Sequence, residues 1–379
     1  MQPPSDDPGA VSRSGGTDAG PLEIFCVVAP GLEGLLADEA LEAGFAVRGT
    51  IPGGVTLAGD WAEVWRANLT LRGATRVLVR LAAFRAMHPA QLDKRARKLP
   101  WRDWLAPDVP VKVDTTCRKS RIYHAGAATD RIEGALAAAG LSTGDDGVTL
   151  KVRIEDDLCT VSIDTSGDSL HRRGLKQEVN RAPLRETLAA LFLRAAGFDG
   201  TEPVVDPMCG SGTFPIEAAE IAAGLWPGRA RTFAFERLAT FDAVRWDAMR
   251  RGARRDTAFR GAGSDRDQGA VRMSRANADR AGVSDLLDFA CLTVSDAAPP
   301  EGPPGLVICN PPYGGRIGAK SPLYGLYAAF GARTRTAFPG WRVAMVTSEP
   351  GLARATGLDW ADTGPVVDHG GRKIRLYRT

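Results

Sequence analysis

Cysteine, histidine and long apolar runs are all scarce in this 379-residue chain. The six cysteines (26, 117, 159, 209, 291 and 309) are scattered with no C-x-x-C pair, so neither a disulfide framework nor a zinc site is expected. Buried thiols of this kind suit a reducing cytoplasm. The four histidines lie far apart, and a metal-dependent mechanism finds no ligand set. No stretch of about 18 apolar residues exists, so no helical membrane span is expected. Residues 1–20 are rich in Pro, Gly, Ser and Asp and lack an apolar h-region; they read as a disordered tail, not a signal peptide. No internal repeat is visible.

What is present is a chain 44% hydrophobic, long enough for two or three domains with real cores. The net charge is only +3, but it is unevenly spread. From Arg85 to Arg131 there are 11 Lys/Arg against 5 Asp, and from His171 to Arg194 there are 6 against 2 Glu. Such surpluses on a near-neutral chain point to a basic face for a phosphate backbone. For Lys94-Arg95-Arg97-Lys98 a solvated helix face explains the charge equally well. The cluster Arg118, Lys119 and Arg121 sits at a strand end, with Tyr123 and His124 available for stacking, which suits single-stranded RNA.

Alternating patterns set the expected organisation: a tail (1–20), a small α+β unit (21–75), a second α+β unit (76–167) and an α/β domain (168–379). In the second unit a helix is expected near Gln91–Leu105, with Trp101 and Trp104 as core anchors. The hairpin segments 149–154 and 159–164 would close that unit.

Within the α/β domain the most informative stretch is Asn310-Pro311-Pro312-Tyr313, which follows the apolar strand 305–309. Two prolines lack the N–H a central strand needs, so the chain must leave the sheet at Asn310, at a strand's carboxyl end. Open α/β sheets place their ligands there. The Asn310 side-chain carbonyl and a proline-held backbone carbonyl can both accept from one flat NH₂ group, and Tyr313 offers a stacking face. Upstream, Val204-Val205-Asp206 enters a turn, Pro207-Met208-Cys209-Gly210-Ser211-Gly212-Thr213, whose two glycines allow close backbone approach. A carboxylate beside a glycine loop would repel a pyrophosphate but suits a cationic, amino-acid-like ligand; the amine and sulfonium of S-adenosylmethionine fit. A second strand ends at Asp265, placed to accept two ribose hydroxyls, with Asp267 as a helix cap. A third leads to Asp296, placed for an adenine amine. Asp206, Asp265, Asp296 and Asn310 thus arrive at four successive strand ends.

These residues carry a family resemblance. The segment 206–213, Gly263-Ser264-Asp265, and Asn310 to Gly314 resemble the motifs of class I S-adenosylmethionine-dependent amino-methyltransferases. The segments 118–124, 162–167, 171–174 (with Arg172 and Arg173) and 182–186 are similar to the THUMP-domain RNA methyltransferases of the RlmL/YpsC type. The resemblance runs from about Leu22 to the C-terminus. It departs at Gly315, where an acidic residue is usual, and at Pro215, where leucine is usual. It covers one catalytic domain, so the second methyltransferase module fused to some relatives is expected to be missing. It implies a Rossmann-like domain with a seven-stranded, mostly parallel sheet and a C-terminal antiparallel hairpin, preceded by an α+β ferredoxin-like/THUMP RNA-binding module.

The resemblance further implies S-adenosylmethionine as cofactor, ribosomal RNA as partner, and transfer to the N2 amine of a guanine in large-subunit (23S) RNA. Asp206, Met208, Cys209, Gly210, Ser211, Gly212, Thr213, Asp265, Asp296 and Asn310 would hold the cofactor. Asn310, Pro311, Pro312 and Tyr313 would grip the amine, and Arg118, Lys119, Arg121, Tyr123, His124, Arg172 and Arg173 would contact RNA. A tRNA guanine, a DNA adenine, a protein glutamine and a non-catalytic role in ribosome assembly stay open as alternatives, and the oligomeric state is not legible.

Overall fold

The computed structural model describes residues 20–178, 183–314 and 321–379. The expected tail and the Gly315 position lie outside these residues. The N-terminal half contributes β1 (Leu22–Val27), α1 (Glu33–Glu42), β2 (Ala46–Ile51), β3 (Gly54–Gly59), α2 (Trp61–Thr70) and β4 (Arg76–Arg85). It continues with α3 (Pro89–Ala96), β5 (Val111–Arg118), α4 (Ala125–Ala138), β6 (Val148–Glu155) and β7 (Leu158–Asp164). These strands form one seven-stranded sheet in the order β2-β3-β1-β4-β7-β6-β5. The boundary expected at 75/76 falls where β4 begins, yet β4 pairs with β1 on one side and β7 on the other. The two expected N-terminal units are therefore halves of a single sheet.

The helix expected over Gln91–Leu105 is shorter than its pattern suggests. α3 stops at Ala96, and only a 3₁₀ turn, Trp101–Asp103, follows. Pro100 accounts for the break, because proline disfavours helical backbone in the residue before it. Trp101 and Trp104 are core anchors as expected, both at 2% exposure or less.

The C-terminal half contributes α5 (Glu186–Ala195), β8 (Val204–Asp206), α6 (Thr213–Ala222), α7 (Ala243–Met249), β9 (Gly261–Asp265), α8 (Gln268–Ala281) and β10 (Leu287–Cys291). Then come β11 (Leu306–Cys309), α9 (Ser321–Ala337), β12 (Arg342–Thr347), α10 (Pro350–Ala355), β13 (Asp362–Thr363), β14 (Val367–His369) and β15 (Arg372–Arg378). The sheet runs β10-β9-β8-β11-β12-β15-β13, with β14 hairpinned onto β15. The first five strands are parallel and β15 is antiparallel, so this is the class I methyltransferase fold. β11 is buried along its whole length, which explains its unbroken apolar run. Gly370 and Gly371, with φ of +57° and +77°, make the tight turn of the β14–β15 hairpin.

The halves share a core. Trp65 of α2 stacks on Phe235 at 6.0 Å and meets Phe241 edge-on at 5.7 Å, both in the segment between α6 and β9. Among the described residues, no helix is long and apolar enough to cross a membrane, and no group of three or more His, Cys, Asp or Glu is placed to hold a metal ion.

Candidate active site at the strand ends

The chain order of the second sheet reverses between β8 and β11, and the crevice at that switch point is where open α/β sheets bind ligands. Asp206 ends β8, Asp265 ends β9, Asp296 lies in a 3₁₀ turn just after β10, and Asn310 directly follows β11. The four strand ends expected from the sequence are thus neighbours along one rim.

Asp206 is 2% exposed, and its Oδ1 accepts the Met208 N–H at 3.0 Å. Burial pushes its carboxyl well above the usual range; the Met208 N–H pulls against this, and nearby Asp265 pushes the same way as burial. An acid held in this state gains from a cationic neighbour. Asp265 is braced on both oxygens: Oδ2 accepts the Gly210 N–H at 3.1 Å and Oδ1 the Asp267 N–H at 2.9 Å. Each oxygen keeps a second lone pair for ligand hydroxyls. Asp296 is exposed, and its Oδ2 accepts the Thr293 hydroxyl at 2.6 Å. Asp267 caps α8, accepting the Gly269 N–H at 2.7 Å.

Two glycines shape the turn between Asp206 and α6. Gly210 has φ of +56° and nothing within 4 Å of where a Cβ would stand, leaving a bare backbone open to a ligand. Gly212 has φ of +83°, and a Cβ there would meet Ile216 at 3.0 Å and Ser274 at 3.1 Å. The turn's side chains face inward. Cys209 Sγ lies 3.6 Å from Ser274 Oγ, Ser211 is buried, and Thr213 Oγ1 accepts from Lys176 Nζ at 2.9 Å. What Cys209 and Thr213 present to a ligand is therefore backbone. The rim as a whole is rich in acceptors, an arrangement that fits an ammonium, a sulfonium and ribose hydroxyls.

The second half of the site is the turn Asn310–Gly314. Asn310 Oδ1 is buried and has no hydrogen-bond partner among the described residues. An orphaned buried acceptor costs about 1–3 kcal/mol, and Oδ1 is open to a donor such as a ligand N–H. Pro311 is buried, and the Pro312 carbonyl accepts from the Tyr327 hydroxyl at 3.4 Å, which holds the turn in place. Tyr313 is half-buried, with the Arg372 guanidinium 5.9 Å from its ring centroid. Arg372 also donates to the Gly314 carbonyl.

Several positioning residues escape a reading of the sequence. Ser274 Oγ donates to the Gly210 carbonyl at 2.9 Å, and Asn277 Nδ2 donates to the Ser211 carbonyl at 3.0 Å. Both belong to the buried face of α8, where two polar residues three apart on an apolar stripe were the available signal. Tyr327 and Lys176 act across long sequence separations and left no local trace.

The residues expected to contact RNA divide. Arg118 ends β5, Lys119, Arg121, Tyr123 and His124 follow it in one loop, and Tyr123 is 84% exposed. That loop is laced to the β6–β7 turn: Asp157 Oδ1 accepts the Arg121 N–H at 2.8 Å, and the Asp157 N–H donates to Ser120 Oγ at 3.1 Å. His124 Nδ1 accepts the Ala127 N–H at 3.0 Å and so also caps α4. Arg172 is exposed but lies in a separate groove with Arg231 and Arg250. Arg173 is a correction. It is 4% exposed and pairs with Glu217 and, at 3.2 Å, with Glu220 on α6. Burial pulls its pKa down, but the two carboxylates outweigh burial and hold it charged. Arg72 reaches the same Glu217 from the N-terminal half at 2.8 Å. Arg173 is part of the joint between the halves and has no face for RNA.

Comparison with known proteins agrees with this geometry. Residues 173–364 match a family model described as an RMKL-like methyltransferase domain, and residues 23–78 match an RlmL ferredoxin-like domain. The chain is 36% identical over 361 residues to "Ribosomal RNA large subunit methyltransferase K/L" of Syntrophotalea carbinolica, covering 89% of this chain and 51% of that protein. It therefore spans about half the length of such curated relatives. A crystal structure described as "a predicted N6-adenine-specific DNA methylase" from Listeria monocytogenes superposes with a TM-score of 0.86 at 30% identity, covering 94% of this chain and 96% of that one. Another, described as "a putative methyltransferase complexed with SAH", superposes with a TM-score of 0.85 at 26% identity, covering 95% and 98%.

Proposed function

Because the chain belongs to the RMKL-like methyltransferase family, with an RlmL-type ferredoxin-like domain at its N-terminal end, we propose that it methylates the N2 amine of a guanine in large-subunit ribosomal RNA. The observation that carries this reading is the buried Oδ1 of Asn310 at the mouth of β11, which has no partner among the described residues. It is placed for the N–H of a flat exocyclic amine, and the relative named above supplies the choice of ribosomal RNA.

S-adenosylmethionine, when bound, supplies an electrophilic methyl group on a sulfonium. Asp265 would hold its ribose, Asp296 its adenine amine, and the bare backbone at Gly210 with buried Asp206 its amino-acid end. Asn310 Oδ1 and the Pro311 carbonyl accept the two N2 protons of the guanine, drawing the nitrogen lone pair out of the ring and aiming it at the methyl. Tyr313 stacks on the base, and Tyr327 keeps the Pro312 peptide from rotating. Extruding a paired base costs a few kcal/mol, which stacking and the basic loop Arg118–His124 offset. Rate would then come from positioning and electrostatics, with the proton of the alkylated nitrogen passing to water.

The exposed cationic loop with Tyr123 favours RNA over duplex DNA as substrate. The test is incubation of the protein with S-adenosylmethionine and unmodified ribosomal RNA, transfer RNA or DNA, followed by nucleoside mass spectrometry. N2-methylguanosine in ribosomal RNA is the expected product; N2-methylguanosine in transfer RNA alone, or N6-methyladenine in DNA, would replace the reading.

A further inference from the structure

Between α6 and β9 the chain makes a long excursion, residues 223–260, holding nine arginines, no lysine and four carboxylates. The methyl-transfer chemistry uses none of them. Trp246 on α7, at 2% exposure, and the stacked pair Phe233–Phe235 at 5.1 Å pin the excursion to the N-terminal half. Outside that apolar anchor, Arg245, Arg250, Arg251, Arg254 and Arg255 are exposed. Arg245 is tied to Asp60 at 3.3 Å and Arg254 to Asp285 at 2.5 Å.

The excursion faces the 168–174 linker across an open groove of about 540 Å³. Arg231 builds its floor. Its Nη1 donates to the carbonyls of Ser169 and Arg172, both at 3.0 Å, and its Nη2 to those of Ser166 at 3.2 Å and Asp168 at 2.6 Å. Those four bonds spend Arg231 on architecture. Arg172 and Arg250 line the groove with their charge to spare. Arg172 has one loose tie, to Asp168 at 3.7 Å, with both side chains largely exposed, a pairing that contributes little. The Arg250 guanidinium lies over the Trp246 ring, 5.6 Å from its centroid, a cation–π contact that positions the charge at the groove without neutralising it.

We infer that this groove is a second docking surface for the substrate's phosphate backbone, apart from the Arg118–His124 loop. Arg172 and Arg250 along the groove, with exposed Arg251 next to Arg250 in the chain, suit a polyanion. A single small anion would instead call for converging donors at one point. Arg173, next to Arg172, pairs with Glu217 and Glu220 on α6, so this joint lies on the order of 10 Å along the helix from the glycine turn. Beside this joint, the groove holds nucleotides flanking the target, and the target itself goes to Asn310. The inference rests on the RNA reading given above and adds where the RNA lies.

The test is a salt titration of RNA binding by the full chain, using a ribosomal RNA fragment that the protein methylates. Arg172→Glu/Arg250→Glu is compared with Arg375→Glu, which makes a charge change on the exposed side of β15. The double variant should lose about tenfold or more in RNA affinity, and its log–log salt slope should shrink by about one for each lost phosphate contact. S-adenosylhomocysteine affinity should stay as in the parent chain, which also reports an intact fold. Arg251→Glu should weaken RNA binding in the same direction. A double variant matching Arg375→Glu in both affinity and slope overturns the groove while leaving the methylation reading intact. If the parent chain neither binds nor methylates RNA, both readings fail together.

Discussion

The backbone N–H of Gly210 donates to Oδ2 of Asp265 at 3.1 Å, so the turn after one strand is fastened to the carboxylate that ends the next. The same carboxylate also takes the Asp267 N–H, and its geometry is set before any ligand arrives. Preorganisation of this kind makes the site's residues separable by experiment.

Asp265→Ala removes the ligand's hydroxyl acceptor and releases the Gly210 turn. Cofactor affinity should fall roughly 10- to 100-fold, about 1.5–3 kcal/mol for a lost charge-assisted hydrogen bond. Calorimetry with S-adenosylhomocysteine measures this; unchanged affinity would take the ribose role away from Asp265.

Asn310→Ala should separate binding from chemistry. Cofactor affinity should change by less than threefold, whereas methyl transfer should drop by about 10²–10³ or more, the usual loss when one preorganised polar contact is removed. Single-turnover kinetics beside calorimetry give both numbers. Equal losses in both would make Asn310 a structural residue.

Asp206 yields a pH prediction. Its carboxyl is held well above the usual range by burial, so the ligand-free fold is relieved of strain at low pH and loses stability as pH rises through that elevated value. A cation placed beside it favours the ionised form. Cofactor binding should therefore release a proton and tighten as pH rises, which calorimetry in buffers of different ionisation enthalpy detects. Asp206→Asn should raise the melting temperature of the ligand-free protein, weaken cofactor binding at least tenfold and abolish the proton release.

Arg173→Ala should behave as a folding defect. Removing Arg173 from this buried ion-pair network leaves Glu217 with Arg72 and Glu220 with Arg229, so the loss falls at the low end of the roughly 3–5 kcal/mol expected for breaking a buried pair. Chemical denaturation should show that loss, and the folded fraction should keep the parent's salt slope for RNA. A reduced slope would return Arg173 to the RNA surface.

His171 predicts acid lability. Burial, helped by Arg185 and Arg172, pushes its pKa down to about 4. Its contribution to stability is complete above the ordinary histidine value of about 6.5 and is lost as pH falls from there towards 4. Denaturation midpoints measured across that window should decline, and less steeply in His171→Gln.

The rim was legible because each of its parts is local. A strand, an acid or Asn at its end, and a turn of glycines or prolines are contiguous in sequence, so Asp206, Asp265 and Asn310 could be placed without a partner strand. Asn277 and Tyr327 brace that rim across 66 and 15 residues of separation, and composition has no way to record such contacts. Arg173 misled for a related reason. An Arg-Arg pair in a basic segment looks like surface until α6 presents two carboxylates to one of its members. The helix expected near Gln91–Leu105 ended early because a single proline outweighed an apolar periodicity.

Strand β4 bonds to a neighbour along both of its sides. Any attempt to dissect the N-terminal half into its ferredoxin-like portion and the remainder must tear a ladder open. Cutting ahead of Arg76 would bare one flank of β4 in one piece and of β1 in the other, and unsatisfied amides of that kind recruit whatever strand is nearest, a second copy included. The two portions should therefore be stable only when expressed as one polypeptide, or when the separate pieces meet and re-form the ladder by complementation.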